Sequence, residues 1–212
     1  MSGALRALIL ADIHGAADVI GALTGRYDAV IVAGDITHRG TVSEAAGILN
    51  ALAKIAPVYF VPGNLDPPAL AGYESELVKP LHGRVQQLGP YTVGGVGGSL
   101  PTPFGTPFEI DEDEIEGTLK SLRPAPQLLV AHNPPRGCLD RVGGVVPVGS
   151  TSIRRYLEER RPLLSVHGHI HEDRGIEIIG ETVIVNPGSL RGGHYAEAVL
   201  DGVRVTVQLR SV

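Results

Sequence analysis

The sequence predicts an α/β protein, and three observations carry that expectation. Through the first sixty residues, short apolar runs of strand length alternate with segments of helical periodicity. That βαβαβ pattern demands parallel strands joined by crossover helices. Further strand-like runs fill the rest of the chain around two more helix-like segments. Five of the runs end in a residue type that binds metals well, which puts the chemistry at strand ends.

Taken in order, residues 4–11 read as a buried strand and 16–23 as a helix. Residues 28–33 form the second strand. Residues 41–55 form a helix whose small apolar side chains recur at helical spacing, and Pro57 stops it. Residues 58–61 are the third strand. Residues 85–88 and 91–96 read as strands around Gly89-Pro90, followed by the long irregular loop GGVGGSLPTPFGTPF. The segment DEDEIEGTLKSL is a helix whose acidic start suits the positive end of its dipole, and its acid cluster reads as a solvated helix start rather than a cation site. Residues 127–131 are a strand ending at HNPPRG, and 137–149 a glycine- and valine-rich loop. Ser150 is placed to cap a helix reaching residue 160. Residues 163–166 are a strand ending at HGHIH. Strands at 176–179, 182–185 and 196–209, the last with a turn at Asp201-Gly202, complete the chain.

With 212 residues, 43% hydrophobic and 19% charged, the expectation is one soluble domain spanning 1–212. The net charge of −5 and the lack of a basic stripe argue against nucleic acid as a partner. The single cysteine, Cys138, forms no internal disulfide and has no paired base nearby, which fits a reducing cytoplasm and a non-nucleophilic thiol. The N-terminal apolar run is too short for a signal peptide, and no run reaches membrane-spanning length. The expected location is cytoplasmic, and a homo-oligomer is compatible with all of this.

The strand ends carry Asp12 and His14, then Asp35 after Gly34, Asn64 after Gly63, His132, and finally His167, His169 and His171. If the strands are parallel neighbours, these side chains converge. In Asp12-x-His14 and His169-x-His171 an extended backbone puts alternate side chains on one face. Gly34, Gly63 and Gly168 allow sharp turns and close approach. Any one of these residues alone is ordinary; five ordered clusters are not. The mixed oxygen and nitrogen set suits Mn, Fe, Co, Ni or Zn better than Ca or Mg, and is too large for one tetrahedral ion. Two divalent metal ions are expected, in a hydrolytic centre.

The blocks DIH, GD, GN, AHNPP, GHIH and NPGS, in that order between Asp12 and Ser189, resemble the calcineurin-like metallophosphoesterases. The resemblance implies a four-layer α/β/β/α sandwich of two mixed sheets flanked by helices. It implies one metal held by Asp12, His14, Asp35 and His171 and a second held by Asp35, Asn64, His132 and His169, with Asp35 bridging. It implies attack on phosphorus by a water or hydroxide between the metals, with no covalent enzyme intermediate. His167 then reads as packing behind the site, Asn186 and Ser189 as support from the NPGS turn, and Asn133 with Pro134-Pro135 as shaping the His132 loop. GDITHRG resembles the G-D-x-x-x-R-G of the protein-phosphatase branch, making Arg39 either a bidentate phosphate contact or a surface arginine at a helix start. Asp35, Asn64, His132 and Arg39 are the catalytic candidates. His38 faces the cleft or, preferentially, solvent. The loops at 99–108 and 136–149 are candidate walls of the substrate pocket.

One position departs from the family. Many members read G-N-H-[DE]; here Leu65 follows Asn64, and Asp66 is kept. Leucine has no proton for a leaving group, a service worth about 10²–10⁴-fold. The expected activity is therefore hydrolysis of a small phosphoester, with phosphodiesters favoured over alkyl monoesters. The competing readings are a non-catalytic metal-binding scaffold for proteins and a nuclease of the same superfamily.

Overall fold

Runs that are almost wholly apolar are stable as strands covered on both faces. In the computed structural model, which describes residues 4–212, three such runs are β1 (Leu5–Leu10), β2 (Ala29–Ala33) and β3 (Val58–Val61), parallel neighbours buried almost throughout. The crossovers carry α1 (Ala17–Ile20) and α2 (Val42–Leu52). Next come β4 (Val78–Pro80), β5 (Val85–Leu88), β6 (Tyr91–Val96), α3 (Glu112–Ser121) and β7 (Leu128–Ala131). A hairpin of β8 (Arg141–Val142) and β9 (Val146–Pro147) leads to α4 (Thr151–Arg160) and β10 (Leu164–Val166). The chain closes with β11 (Gly175–Ile179), β12 (Thr182–Asn186), β13 (His194–Asp201) and β14 (Arg204–Ser211).

Two six-stranded mixed sheets result, in the orders β14-β13-β1-β2-β3-β4 and β11-β12-β10-β7-β6-β5. Strand alternation sorts the apolar side chains into three cores. Ala7, Ile9 and Ile31 of the first sheet meet Leu128, Val130 and Val166 of the second. The opposite faces of β1 and β2, through Leu8, Leu10, Val30 and Val32, pack under Ile20, Ile48, Leu49 and Leu52 of the first two helices. Leu129 and Ile184 pack under Ile115, Leu119, Ile153 and Leu157 of α3 and α4. This is the expected α/β/β/α order, and no helix of the described residues is long and apolar enough to cross a membrane.

Departures from the expected elements have local causes. The first helix is four residues rather than eight: no side chain caps its start and Gly21 ends it. A Thr41–Glu44 capping box starts α2 where expected, but it stops at Leu52. Strand β4 went unpredicted because three residues, one of them Pro80, show no periodicity. The 137–149 loop contains the β8–β9 hairpin. Ser150 caps α4 as expected, accepting from Ile153 N at 3.1 Å. The acid cluster does more than face solvent: Asp111 caps α3, while Glu112 reaches across to α4. Its carboxylate accepts from Ser150 Oγ at 2.7 Å, Thr151 N at 2.7 Å and Ser152 N at 3.0 Å.

Glu112 thus joins two helices end to end. Glu112→Ala is expected to lower unfolding free energy by about 1–2 kcal/mol, the range of a lost helix cap. The check is a urea midpoint shift, with divalent-metal affinity unchanged by calorimetry.

Candidate metal centre

The carboxyl ends of β1, β2 and β3 lie side by side in one sheet, and those of β7 and β10 in the other. The residues that follow them meet at the seam between the sheets. His132 Nδ1 lies 2.8 Å from Ala33 O, and His169 N donates to the Asp12 carboxylate at 3.1 Å. His14 Nε2 and His171 Nε2 are 3.1 Å apart, and His171 Nε2 is 3.3 Å from Asp12 Oδ1. On the other side, His132 Nε2 is 2.8 Å from Asn64 Oδ1 and 3.5 Å from Asp35 Oδ1. Asp35 also faces His14, at 3.9 Å from Nδ1. The His169 ring stands 5.1 Å from that of His132, centre to centre. All seven residues picked from the sequence are in one place.

The route to that convergence is not the one expected. Asp12, His14, Asp35 and His169 have φ of 52°, 48°, 50° and 71°, so the D-x-H and H-x-H segments are tight left-handed turns rather than extended alternation. Non-glycine residues hold such conformations, at about 1–3 kcal/mol each, only where surroundings over-determine them. Here adjacent loops lock one another: Asp12 N donates to Gly34 O, and His14 N to Asp35 O at 2.9 Å. His171 begins a short 3₁₀ turn. The glycines are needed for contact. A β-carbon on Gly63 would land on the Asp35 carboxylate and amide, and one on Gly168 would sit 2.8 Å from Asp12 Oδ2.

Burial and neighbouring charge set the protonation of the centre. Burial pushes the Asp35 carboxyl up to about 7; Asp12 and Asp66 add to this and His132 opposes it. Burial also works against the Asp12 carboxylate, but the His171 hydrogen bond and the surrounding imidazoles hold its pKa below the usual range. Burial lowers His14 to about 4 and His169 to about 3. Those rings therefore stay neutral, the form that ligates a metal.

Other sequence candidates act from behind. His167 is fully buried, with Nε2 2.7 Å from Ser165 Oγ and Nδ1 3.1 Å from the Ala131 and Asn133 carbonyls, so it braces the β7 and β10 ends. Asn186 donates to Ile170 O and Ser189 to Asp12 O. Cys138 is buried, and burial beside Glu177 raises its thiol pKa, consistent with an inert role.

At the mouth, a cleft of about 310 Å³ is bounded by Asp35, Asn64, His169 and His171 within and by His38, Arg39 and Leu65 outside. The exposed Arg39 guanidinium is tethered at this mouth by the Phe104 and Gly105 carbonyls, at 3.1 and 3.3 Å. His38, read as facing solvent, is exposed yet stands edge-on to His14 at 5.7 Å. Leu65 donates its amide to Asp35 Oδ1 at 2.8 Å.

Sequence reasoning undervalued Asp66. Its buried carboxylate accepts from Gly63 N, Ile36 N, Thr37 N and Thr37 Oγ1 at 2.8–3.0 Å, stapling the GD loop to the GN loop. Its place two residues after Asn64 was visible; its partners, from about thirty residues upstream, were not.

The calcineurin-like phosphoesterase family matches residues 5–173. An uncharacterized protein of Methanocaldococcus jannaschii, MJ1162, is 35% identical over 169 residues, 76% of this chain and 77% of that protein. The chain belongs to the calcineurin-like phosphoesterases, a metal-dependent family of phosphoester hydrolases. Solved structures agree on the fold. A dimetal phosphatase from Danio rerio superposes with a TM-score of 0.61 at 12% identity, covering 99% of this chain and 97% of its own. A novel archaeal phosphodiesterase gives 0.56 at 14%, covering 98% and 100%.

Removing the Asp66 carboxylate would strand three buried backbone N–H groups, at about 1–3 kcal/mol apiece. Asp66→Ala is expected to cost about 3 kcal/mol or more in chemical denaturation, with Asp66→Asn milder.

Proposed function

We propose that this protein hydrolyses phosphodiesters with two divalent ions, Mn²⁺ first among them, which Asp12, His14, Asp35, Asn64, His132, His169 and His171 would hold. The observation that carries the reading is the meeting of seven oxygen- and nitrogen-bearing side chains from both sheets at one seam. Ligand atoms of Asp12, His14 and His171 fall within 4.8 Å of one another, as do those of Asp12, Asp35 and His132. The donor set fits a cation: His14 Nδ1 is buried without a hydrogen-bond partner, and two carboxylates are buried together. Ions of this kind polarise phosphoryl oxygens and acidify water. The dimetal phosphatase and the archaeal phosphodiesterase of the same fold support the reading.

The chain's own residues favour a diester. Leu65 supports Asp35 through its amide, but its side chain offers the cleft no proton. Esters whose leaving group departs unprotonated are served best. Among the described residues, Arg39 is the one guanidinium bounding this cleft, and no lysine joins it. A monoanionic diester needs less charge compensation than a dianionic monoester. In this reading the guanidinium would pair with phosphate oxygens at the mouth.

With Mn²⁺ present, kcat/KM for bis(p-nitrophenyl) phosphate is expected to exceed that for p-nitrophenyl phosphate by tenfold or more; preference for the monoester would overturn the diester reading. Calorimetry should record two Mn²⁺ sites, with His132→Ala losing one and Asp35→Asn weakening both.

Arg39→Ala is expected to raise KM about tenfold or more, the worth of a charge-assisted contact, without changing Mn²⁺ affinity.

A further inference from the structure

Beyond Asn64 and His169 the cleft opens into a second cavity of about 420 Å³. One wall is the 99–108 loop, through Leu100, Pro103 and Phe104; the other is the β8–β9 hairpin and its exit, through Val142, Val146 and Val148. Both lips are apolar and exposed: Phe104 by 77% and Val146 by 58%. Two other recesses touching the centre carry more charged and polar side chains, one with Thr37, His38 and Glu44, another with Glu172, Arg191 and His194.

Several of the polar side chains of this cavity already bond within the protein. Thr102 Oγ1 donates to Glu109 at 2.7 Å. Asn133 accepts from Leu100 N at 3.2 Å and donates to Pro134 O at 3.0 Å. Glu172 accepts from Gly143 N at 3.0 Å, and Asn64 turns its oxygen toward His132. A base or sugar placed here would find few free partners for its donors and acceptors, a shortfall that recognition sites penalise heavily. A hydrocarbon would meet mainly the aliphatic and ring carbon of Leu100, Pro103, Phe104, Val142, Val146 and Val148.

We propose that this cavity is a subsite for one ester substituent, and that the substrate class is a phosphodiester in which that substituent is an alkyl chain or a plain aryl ring. The inference rests on the phosphodiesterase reading and adds to it the chemistry of the group beside the phosphate. The phosphate sits at the mouth with Arg39, and the substituent runs past Asn64 and His169 between the loop and the hairpin.

The test is a series of p-nitrophenyl alkyl phosphates, methyl to octyl, with the Mn²⁺-loaded full chain, following p-nitrophenolate. Expected is a rise in kcat/KM of about three- to fourfold per methylene until the cavity fills. The p-nitrophenyl ester of thymidine 5′-phosphate should react no faster than the methyl ester. Val146→Asp, at an exposed position that tolerates a charge, should flatten the series while leaving the methyl ester within twofold. A flat series on a readily hydrolysed methyl ester overturns the subsite and leaves the phosphodiesterase reading standing. So does a steep series that Val146→Asp leaves unchanged, or a nucleoside ester that outpaces the octyl ester. Failure of a Mn²⁺-binding protein to turn over any ester overturns that reading and the inference together.

Discussion

Asp12 and Asp35 are buried side by side, and among the described residues no lysine or arginine pairs with either. Two buried carboxylates with no fixed cation are costly unless other groups meet their charge. What meets it here is a ring of histidines and a few backbone amides: His14, His132 and His171 face the oxygens, and the His169 and Leu65 amides donate to them. Much of the neighbouring structure serves to hold these groups in contact. The glycines at 63 and 168 remove side chains that would collide with the carboxylates. The left-handed turns at Asp12, His14, Asp35 and His169 aim the side chains inward, and Asp66 fixes two of the loops that bear the strain. A centre built this way is pre-organised for a cation before one arrives.

The two-sheet architecture explains why the ligands can come from both halves of the chain. One sheet supplies three parallel strand ends and the other supplies two, and the mostly aliphatic core between the sheets brings the two edges into register. Val130 and Val166 lie in that shared core one or two residues before His132 and the HGHIH segment. Loss of packing there would separate the ligand sets. Catalytic geometry and inter-sheet packing are therefore one constraint.

The α/β class, most strand positions and all seven converging residues were legible in the sequence, because periodicity and strand-end chemistry are local signals. Ser150 as a cap and Gly202 in the last turn were legible for the same reason. The division of strands between sheets was not, since no local pattern says which edge β7 or β10 joins. Nor was the backbone at Asp12 and His169: extended alternation is the default for D-x-H, and the left-handed turns arise from loops that lock only in three dimensions. Glu112 as a bridge between α3 and α4, and Asp66 as a staple, depend on partners about 40 and 30 residues away. The hairpin within 137–149 was hidden by its glycines, though its placement as a pocket wall was anticipated.

That hairpin is also fastened to the centre. Asp173 accepts from the Arg141 amide at 2.8 Å and from its guanidinium at 3.1 Å, so the first strand of the hairpin is fastened two residues from His171. Asn186 holds the same turn through Ile170 O and Asp173 O. On the opposite wall, the amide of Phe108 donates to the carbonyl of Asn64 at 3.0 Å, and Glu109 gathers Thr102 and Thr106 to shape the loop around Phe104. Each wall of the apolar cavity is thus anchored to a residue of the centre or to its immediate neighbour. Leu65 belongs to the same economy of parts: its amide serves Asp35 while its side chain bounds the cleft that Phe104 also lines. An acid at position 65 would add a proton donor to the cleft, where the leucine side chain offers only carbon.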